Sequence, residues 1–186
     1  MILLLVALLV WFFNASSKPL LGTKQADLGR KHVSGSLNPS ADLPTSGDHF
    51  EDWTRAGVYD IPKEDGNLIH SMEHGYVIMS YNCDKKVTGY RLQGTVYAHE
   101  GEDDEITEST GSASLSGDCH KLVDQLKAVY EKKGKRKLIV VPRPQMDSRI
   151  VLTAWNWIDK FDSFDEKRIE NFIDTHRDQG PEKTAE

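Results

Sequence analysis

The segment "NLIHSMEHGYVIMSYNC", from Asn67 to Cys83, limits the fold more than any other part of the chain. Its first half can form about two helical turns, with Asn67 as the N-cap and Gly75 as the glycine that ends the helix. The apolar run "YVIMSYNC" follows immediately and predicts a strand that is buried on both faces. These two elements together predict a fold in which helices pack against a sheet.

Further segments extend this α+β pattern. The clearest amphipathic helix is "CHKLVDQLKAVYEKKG", which Asp118 can cap and Gly134 ends. The segment "RKLIVVPRP" predicts a strand that Pro142 stops, and "SRIVLTAWNWI" predicts one more strand, with Trp155 and Trp157 on the same side. We expect a small, mainly antiparallel or mixed sheet packed by about three helices, rather than a series of βαβ units.

The last of these helices is expected in "SFDEKRIENFIDTHRDQGPE". Ser163 would cap this helix, and Gly180 would end it. Its core face would consist of Ile169, Phe172 and Ile173.

The chain starts with an uncharged apolar segment, "MILLLVALLVWFF". This segment is shorter than the roughly 20 residues of a membrane-spanning helix, but it matches the apolar region of a signal peptide. Residues 1–17 are therefore expected to form an apolar helix that is a signal peptide or a membrane anchor. A polar stretch rich in Gly, Ser and Pro predicts a linker over residues 18–41. One globular domain over residues 42–182 and a tail at 183–186 would follow, membrane-anchored or secreted, outside the cytoplasm.

The chain carries 29 acidic and 23 basic side chains and a formal net charge of -6, which argues against a nucleic-acid partner. Its two cysteines are Cys83 and Cys119. In an exported domain such a pair most often forms a disulfide, and a metal site with two thiolates is the alternative.

His70, Glu73 and His74 form the pattern H-x-x-E-H, which is the signature of inverted zincins. Residues four apart lie on one face of a helix, so both imidazoles can reach one metal ion. Glu73 could then act as general base toward a metal-bound water. Inverted zincins need a longer helix, whereas Gly75 ends this one at once. The pattern therefore favours a metal site over a protease.

Two further residues suggest a soft metal ion. His49 lies in the loop "TSGDHF" and Met146 in the proline-rich loop "PRPQMD". Imidazoles combined with a thioether suit copper better than zinc, because thioether sulfur is a soft ligand. The expected ligands of a transition-metal ion, copper rather than zinc, are accordingly His49, His70, His74 and Met146. His176 in the last helix is an additional candidate.

Three functions are compatible with these patterns. A metal-binding module would capture or deliver copper together with a metal-delivery protein, and Glu73 would fix an imidazole. A metal-dependent, hydrolase-like enzyme would use Glu73 as general base beside an open coordination position. A structural or interaction domain would use the His/Glu cluster only as a buried hydrogen-bond network. The chain contains no nucleophile elbow, P-loop or dinucleotide fingerprint.

Five segments occur in a specific order: "PTSGDHFEDWTRAGVYD", "LIHSMEHGYVIMSYNC", "CHKLVDQL", "VVPRPQMDSRIVLTAW" and "FIDTHRDQGPE". In this set the chain resembles the bacterial family called domain of unknown function 3105. The resemblance implies a compact exported domain behind a membrane anchor, and it implies no particular reaction. The polar motif positions of the family fall on His49, His70, Glu73, His74 and Met146.

The resemblance also implies a cysteine pair at Cys83 and Cys119. In the family the two cysteines are expected only a few residues apart, whereas a long segment separates them here. Residues 84–118 are therefore expected to be an insertion, and they include the acidic stretch "GEDDEITESTGSASLSGD". A loop that leaves and returns at one point would let the cysteines meet.

Overall fold

The computed structural model of the protein describes residues 21–35, 37, 43–84 and 117–185. The apolar helix expected within residues 1–17 and most of the insertion expected at 84–118 lie outside the described residues. In the part of the chain that is described, no helix has both the length and the apolar character needed to cross a membrane.

The described residues form a six-stranded mixed sheet and three helices, which confirms the α+β fold class. The strands are β1 (Thr23–Lys24), β2 (Gly57–Val58), β3 (Val77–Tyr81), β4 (Leu138–Pro142), β5 (Ile150–Ala154) and β6 (Trp157–Phe161). The helices are α1 (Asp65–Glu73), α2 (Gly117–Lys132) and α3 (Glu166–His176).

The sheet has the strand order β1-β6-β5-β3-β4-β2. β3 pairs with β5 in antiparallel and with β4 in parallel orientation. β6 and β1 extend the antiparallel side, and β2 pairs with β4 in parallel. Because parallel neighbours need a crossover connection, the chain between β3 and β4 passes through α2. The described fold thus contains two crossovers between parallel strands, β2-α1-β3 and β3-α2-β4, next to an antiparallel half formed by β5, β6 and β1.

Both faces of the sheet are covered, since β3 and β5 are buried at every position. Alternate residues of a strand point to opposite faces. Val77 of β3 packs in a cluster with Leu126 of α2 and Phe172 of α3. Its neighbour Ile78 packs in the other cluster, with Leu68 of α1. α1, which carries the H-x-x-E-H pattern, therefore lies on the face opposite α2 and α3.

α1 begins earlier than predicted, because its N-cap is Glu64 and not Asn67. Asn67 lies within the helix, and its side-chain amide donates a hydrogen bond to the carbonyl of Asp52 at 2.7 Å. Gly75 ends the helix as predicted. Its φ of +85° belongs to the left-handed region, which glycine adopts without steric cost.

α3 has a different N-cap from the predicted one. The side chain of Asp165 accepts a hydrogen bond from the backbone nitrogen of Arg168, so the prediction of Ser163 as the cap is wrong. The helix also ends at His176, before Gly180. The predicted core face is confirmed, since the buried residues include Ile169, Phe172 and Ile173.

The segment predicted as one strand, "SRIVLTAWNWI", is a hairpin of β5 and β6. Ala154 pairs with Trp157, so Trp155 and Asn156 form a two-residue turn, in which Asn156 has a φ of +61°. Asparagine tolerates this left-handed conformation, and the apolar pattern around it conceals the turn. The two tryptophans consequently do not share a side: Trp155 packs with the α1 cluster and Trp157 against the α2/α3 cluster.

Cys83 and Cys119 form a disulfide with their Cα atoms 5.2 Å apart, which confirms the predicted pairing. The bond joins the chain just after β3 to the first turn of α2. Disulfides persist mainly in oxidising compartments, so this bond favours a fold outside the cytoplasm.

Candidate metal centre

The end of α1 presents three polar side chains that are almost completely buried. His70 and His74 are each 5% exposed, and Glu73 is 3% exposed. The i, i+4 spacing of His70 and His74 places their rings on the same side of the helix, with the two Nε2 atoms 3.1 Å apart. The structure thus brings the two predicted helical ligands together.

His49 joins this site from the loop between β1 and β2. Gly47 has a φ of +115°, and its carbonyl oxygen lies 2.7 Å from Nδ1 of His49. The side chain of His49 is completely buried, and its Nε2 atom lies 2.9 Å from Oε2 of Glu73. The loop therefore carries this predicted ligand onto the last turn of α1.

Two of the rings are oriented by the main chain. Nδ1 of His49 donates to the carbonyl of Gly47, and Nδ1 of His70 donates to the carbonyl of Phe50 at 2.8 Å. In the neutral ring the remaining nitrogen, Nε2, then carries the lone pair. Metal-ligating histidines usually show this arrangement, because the outer hydrogen bond fixes the tautomer and the ring orientation.

His32 is a fourth ring at the site, and no sequence pattern indicated it. It lies in the stretch expected to be a linker, where a parallel β-bridge joins it to His49. The backbone nitrogen of Val33 donates to the carbonyl of His49 at 2.8 Å, and that of His49 donates to Lys31 at 3.0 Å. The ring centroid of His32 is 4.7 Å from that of His49 and 4.8 Å from that of His70. The only signal in the sequence is one histidine within the polar run "GRKHVS".

Glu182 reaches the site from the segment that follows α3. Its backbone nitrogen donates to the carbonyl of Glu73 at 3.0 Å, and its Oε2 atom lies 3.7 Å from Nε2 of His74. Gly180 permits this close approach, because a Cβ atom there would lie 2.6 Å from the carbonyl oxygen of Met72 and closer still to that of Glu73. The sequence patterns indicated only a helix end in this segment.

A buried lysine ties the same segment to α1. Lys137 is 2% exposed, and its Nζ atom donates to the carbonyls of His74 and Thr184, each at 2.9 Å. The Nζ atom also lies 3.2 Å from Oδ1 of Asp178. Hydrogen bonds from Arg136 to this carboxylate lower the pKa of Asp178 well below its usual range. The segment after α3 is therefore held in place by charged as well as main-chain contacts.

The candidate ligand atoms fall into two sets that share His70. Within each set the atoms lie within 4.8 Å of one another, and the sets are His32 with His49 and His70, and His70 with His74 and Glu182. Ligand atoms about 2.0–2.1 Å from a tetrahedral metal ion are roughly 3.4 Å apart, so small side-chain shifts suffice to close either set around an ion. Glu73 stands beside the first set, through its contact with His49.

Met146 does not join the rings. Its side chain is largely buried and packs with Val151 and Ile158 in a separate apolar cluster. Its backbone oxygen accepts a hydrogen bond from the side chain of Asn82 at 2.7 Å. The thioether expected as a soft ligand therefore fills apolar space instead of meeting the histidines.

Trp53 borders the site on the side of α1. Its ring centroid lies 4.9 Å from that of His74 and 5.5 Å from that of His70. The hydroxyl of Ser71, which is buried within α1, positions this loop by accepting from the backbone nitrogen of Thr54 at 3.0 Å and donating to its carbonyl. The indole is thus a natural optical reporter for an ion bound to the two histidines.

His176, the additional candidate ligand, lies elsewhere. Its ring contacts Trp157 and Phe172, at centroid distances of 4.7 and 4.4 Å. Its Nε2 atom donates to the carbonyl of Leu21 at 2.9 Å. Burial lowers the pKa of His176 from its ordinary value of 6.5, and the hydrogen bond to Leu21 offsets part of this shift.

The free energy of unfolding should therefore decrease as the pH falls below 6.5. The unfolded chain binds a proton at His176 around pH 6.5, whereas the folded chain binds it only at lower pH. The stabilisation from the neutral ring is complete above that pH and is lost progressively below it. Urea unfolding at a series of pH values would measure this dependence. His176→Gln keeps a donor for Leu21 and should flatten the curve; an unchanged slope would contradict the assignment.

A family profile matches most of the chain. The profile is that of "Protein of unknown function (DUF3105)", and it covers residues 32–99 and 117–186. The unmatched residues 100–116 lie within the segment expected to be an insertion. No curated protein and no solved structure matches the chain at a significant level. The four histidines and both glutamates of the site lie within the matched segments. The match confirms the resemblance found in the sequence. The chain belongs to the family of domain of unknown function 3105.

Proposed function

We propose that the four histidines and two glutamates of this site bind a divalent transition-metal ion. The protein would be an extracytoplasmic module that captures the ion or delivers it to a partner. Imidazole nitrogen and carboxylate oxygen are donors that both copper(II) and zinc accept, and the general order of affinities favours copper(II). The disulfide and the apolar N-terminal segment support a location outside the cytoplasm, with the membrane reached through that segment.

The contact between His49 and Glu73 carries this proposal. Because Nδ1 of His49 donates to Gly47, the neutral ring presents the Nε2 lone pair to Oε2 of Glu73 at 2.9 Å. Among the described residues neither of these two buried atoms has a hydrogen-bond partner. Two electron-rich atoms at this distance repel each other and lack the solvation that water would supply. A metal cation bound to Nε2 of His49 satisfies this lone pair, and the positive charge of the ion stabilises the carboxylate beside it.

The same contact argues against a purely structural cluster. A buried polar network stabilises a fold when every member is satisfied, and an unsatisfied member is costly. Here a ring nitrogen and a carboxylate oxygen lie 2.9 Å apart without a hydrogen bond. Without a bound cation this contact is favourable only as an ion pair, in which His49 carries a second proton. A hydrogen bond between neutral rings explains the pair His70 and His74. The pair His49 and Glu73 needs a positive charge, which a metal ion or a second proton on His49 supplies.

The donor set also bears on the oxidation state of the ion. The expectation of copper depended on the thioether of Met146, which packs with Val151 and Ile158 instead. Without this soft ligand, nitrogen and oxygen donors suit copper(II) better than copper(I). Copper(II) is therefore the ion that we propose, with zinc as its nearest competitor.

Capture and delivery suit the exposure of the ligands better than catalysis does. The side chains of His32 and Glu182 are 41% and 49% exposed, whereas the rings from α1 and His49 are buried. Exposed ligands allow an ion to be exchanged with a partner while the buried ligands keep their positions. Glu73 touches His49 directly, so it is placed as the charge partner of a ligand and not as a free general base.

A metal titration tests the proposal. The full-length chain, kept in mild detergent, would be titrated with Cu²⁺ and with Zn²⁺ against a chromogenic chelator. We expect one ion per chain, tighter binding of Cu²⁺, and a change in tryptophan emission that is lost in Trp53→Phe. Binding of neither ion by a chain with native circular dichroism would overturn the proposal.

Substitutions of Glu73 and Met146 should have different effects on metal affinity, because Glu73 lies at the site and Met146 packs in a separate apolar cluster. Glu73→Gln is expected to weaken binding about 10- to 100-fold, because it removes the negative charge beside His49. Met146→Leu conserves the side-chain volume and should leave the affinity within about threefold of the original value. The same chelator competition measures both effects. Equal losses in the two variants would contradict the proposed ligand set.

A further inference from the structure

We propose that the site is a transfer site, in which one ion moves from an inner to an outer position and leaves at Glu182 toward an acceptor protein. This inference rests on the proposed metal binding and adds the route by which the ion is released. The inner position consists of His32, His49 and His70, and the outer position consists of His70, His74 and Glu182.

His70 can serve only one of these positions at a time. Its Nδ1 atom donates to the carbonyl of Phe50 at 2.8 Å, so only Nε2 is available to a metal ion. A single lone pair binds a single ion. The two positions therefore cannot both be filled through His70, and an ion that passes between them keeps His70 as a ligand throughout.

Short spacings connect the two positions. Nε2 of His70 lies 3.1 Å from Nε2 of His74, which in turn lies 3.7 Å from Oε2 of Glu182. The ion can thus exchange one ligand at a time. The bond to His49 breaks as the bond to His74 forms, and the bond to His32 breaks as the bond to Glu182 forms. The oxidation state of the ion does not change, and no further reactant is needed.

Each position includes one exposed ligand, His32 in the inner position and Glu182 in the outer one. The two positions differ in the burial of the carboxylate that attracts the ion. The inner position lies beside the buried carboxylate of Glu73, which is 3% exposed, and includes the fully buried ring of His49. The outer position ends at Glu182, whose side chain is 49% exposed. Water screens the exposed carboxylate, so the buried one attracts a cation more strongly. The inner position is therefore where the ion rests.

The exposed carboxylate is the ligand that an acceptor can replace. An imidazole or thiolate of the acceptor protein forms a bond to the ion as the bond to Glu182 breaks, and His74 and His70 then follow. The main chain keeps Glu182 ready for this step, because its backbone nitrogen donates to the carbonyl of Glu73 at 3.0 Å. Lys137 reinforces the arrangement by holding the carbonyls of His74 and Thr184 together.

Transfer kinetics of Glu182→Gln test the inference. The full-length chain in mild detergent is loaded with one equivalent of Cu²⁺ and mixed with excess pyridylazo-resorcinol, and the absorbance of the chelator complex is followed. We expect the variant to transfer the ion about tenfold more slowly. Its equilibrium affinity should stay within about threefold of the original, because the ion rests at the inner position and binds Glu182 only during transfer. Glu131→Gln, an exposed glutamate of α2, is the matched control and should transfer at the original rate.

Other outcomes would overturn the inference. Faster transfer together with weaker affinity would make Glu182 an ordinary ligand of one site. An unchanged transfer rate would mean that the ion leaves elsewhere, for instance at the exposed His32. Two ions bound at once would contradict the argument that His70 can serve only one position at a time. Failure of the original chain to bind Cu²⁺ during loading would instead refute the proposed function, so the two failures are distinguishable.

Discussion

Replacement of His70 by alanine is expected to weaken the binding of Cu²⁺ and Zn²⁺ about a hundredfold or more. Structural zinc sites with four ligands bind with an apparent free energy of about 10–16 kcal/mol, so one ligand accounts for about 3 kcal/mol. His70 is the residue that the two sets of ligands share. The remaining residues therefore cannot rearrange into either complete set, and chelator competition would measure the loss.

His120→Ala is the matched control for this substitution, because His120 is an exposed histidine of α2. Its removal should leave the affinity unchanged. His70→Ala also removes the hydrogen bond to Phe50, which we expect to cost about 1 kcal/mol of unfolding free energy. Urea unfolding would show that the variant is still folded. Undiminished binding in a folded His70→Ala protein would contradict both the ligand assignment and the shared role of His70.

Gly180→Ala is expected to lower the free energy of unfolding by about 2–3 kcal/mol and to displace Glu182 from His74. A Cβ atom at this position would lie 2.6 Å from the carbonyl oxygen of Met72, and closer still to the oxygen of Glu73 and the nitrogen of Gly75. These are backbone atoms at the end of α1, which cannot turn aside as the tip of a flexible side chain can. The segment after α3 must move instead.

Gly117→Ala provides the comparison, since no atom of the described residues lies within 4 Å of a Cβ atom there. Alanine is favoured over glycine in a helix, so this variant should be as stable as the original chain or slightly more stable. Urea unfolding measures both variants. Gly180→Ala should in addition transfer its ion as slowly as Glu182→Gln, because both changes remove the carboxylate from His74. Original stability and original transfer in Gly180→Ala would refute the close packing of this segment.

Short-range patterns were sufficient to predict the elements around the site. The i, i+4 spacing of His70 and His74 depends only on helix geometry, and Gly75 marks the helix end through its own backbone preference. The apolar run after it predicts a strand buried on both faces, which β3 is. His49 could be identified as a candidate ligand from its residue type, but the carbonyl of Gly47 that orients its ring could not be predicted.

The residues that were missed depend on contacts between distant parts of the chain. His32 reaches the site through a β-bridge to His49, and Glu182 through a main-chain hydrogen bond to Glu73. Backbone hydrogen bonds can form with almost any side chain, so such pairings leave no periodic trace in a sequence. Met146 shows the opposite situation. Its residue type predicted a metal ligand, but its side chain packs in an apolar cluster away from the histidines.

The proposed ligands come from both ends of the described chain, with His32 ahead of β2 and Glu182 behind α3. A ribosome releases its product from the N-terminus onward, so the outer position cannot exist until Glu182 has been synthesised and has closed onto α1. A chain that is truncated before this point, or misfolded there, offers an ion only part of the ligand set. Tight metal binding would thus depend on complete synthesis and correct folding, because only a protein with Glu182 in contact with α1 has the full set of proposed ligands.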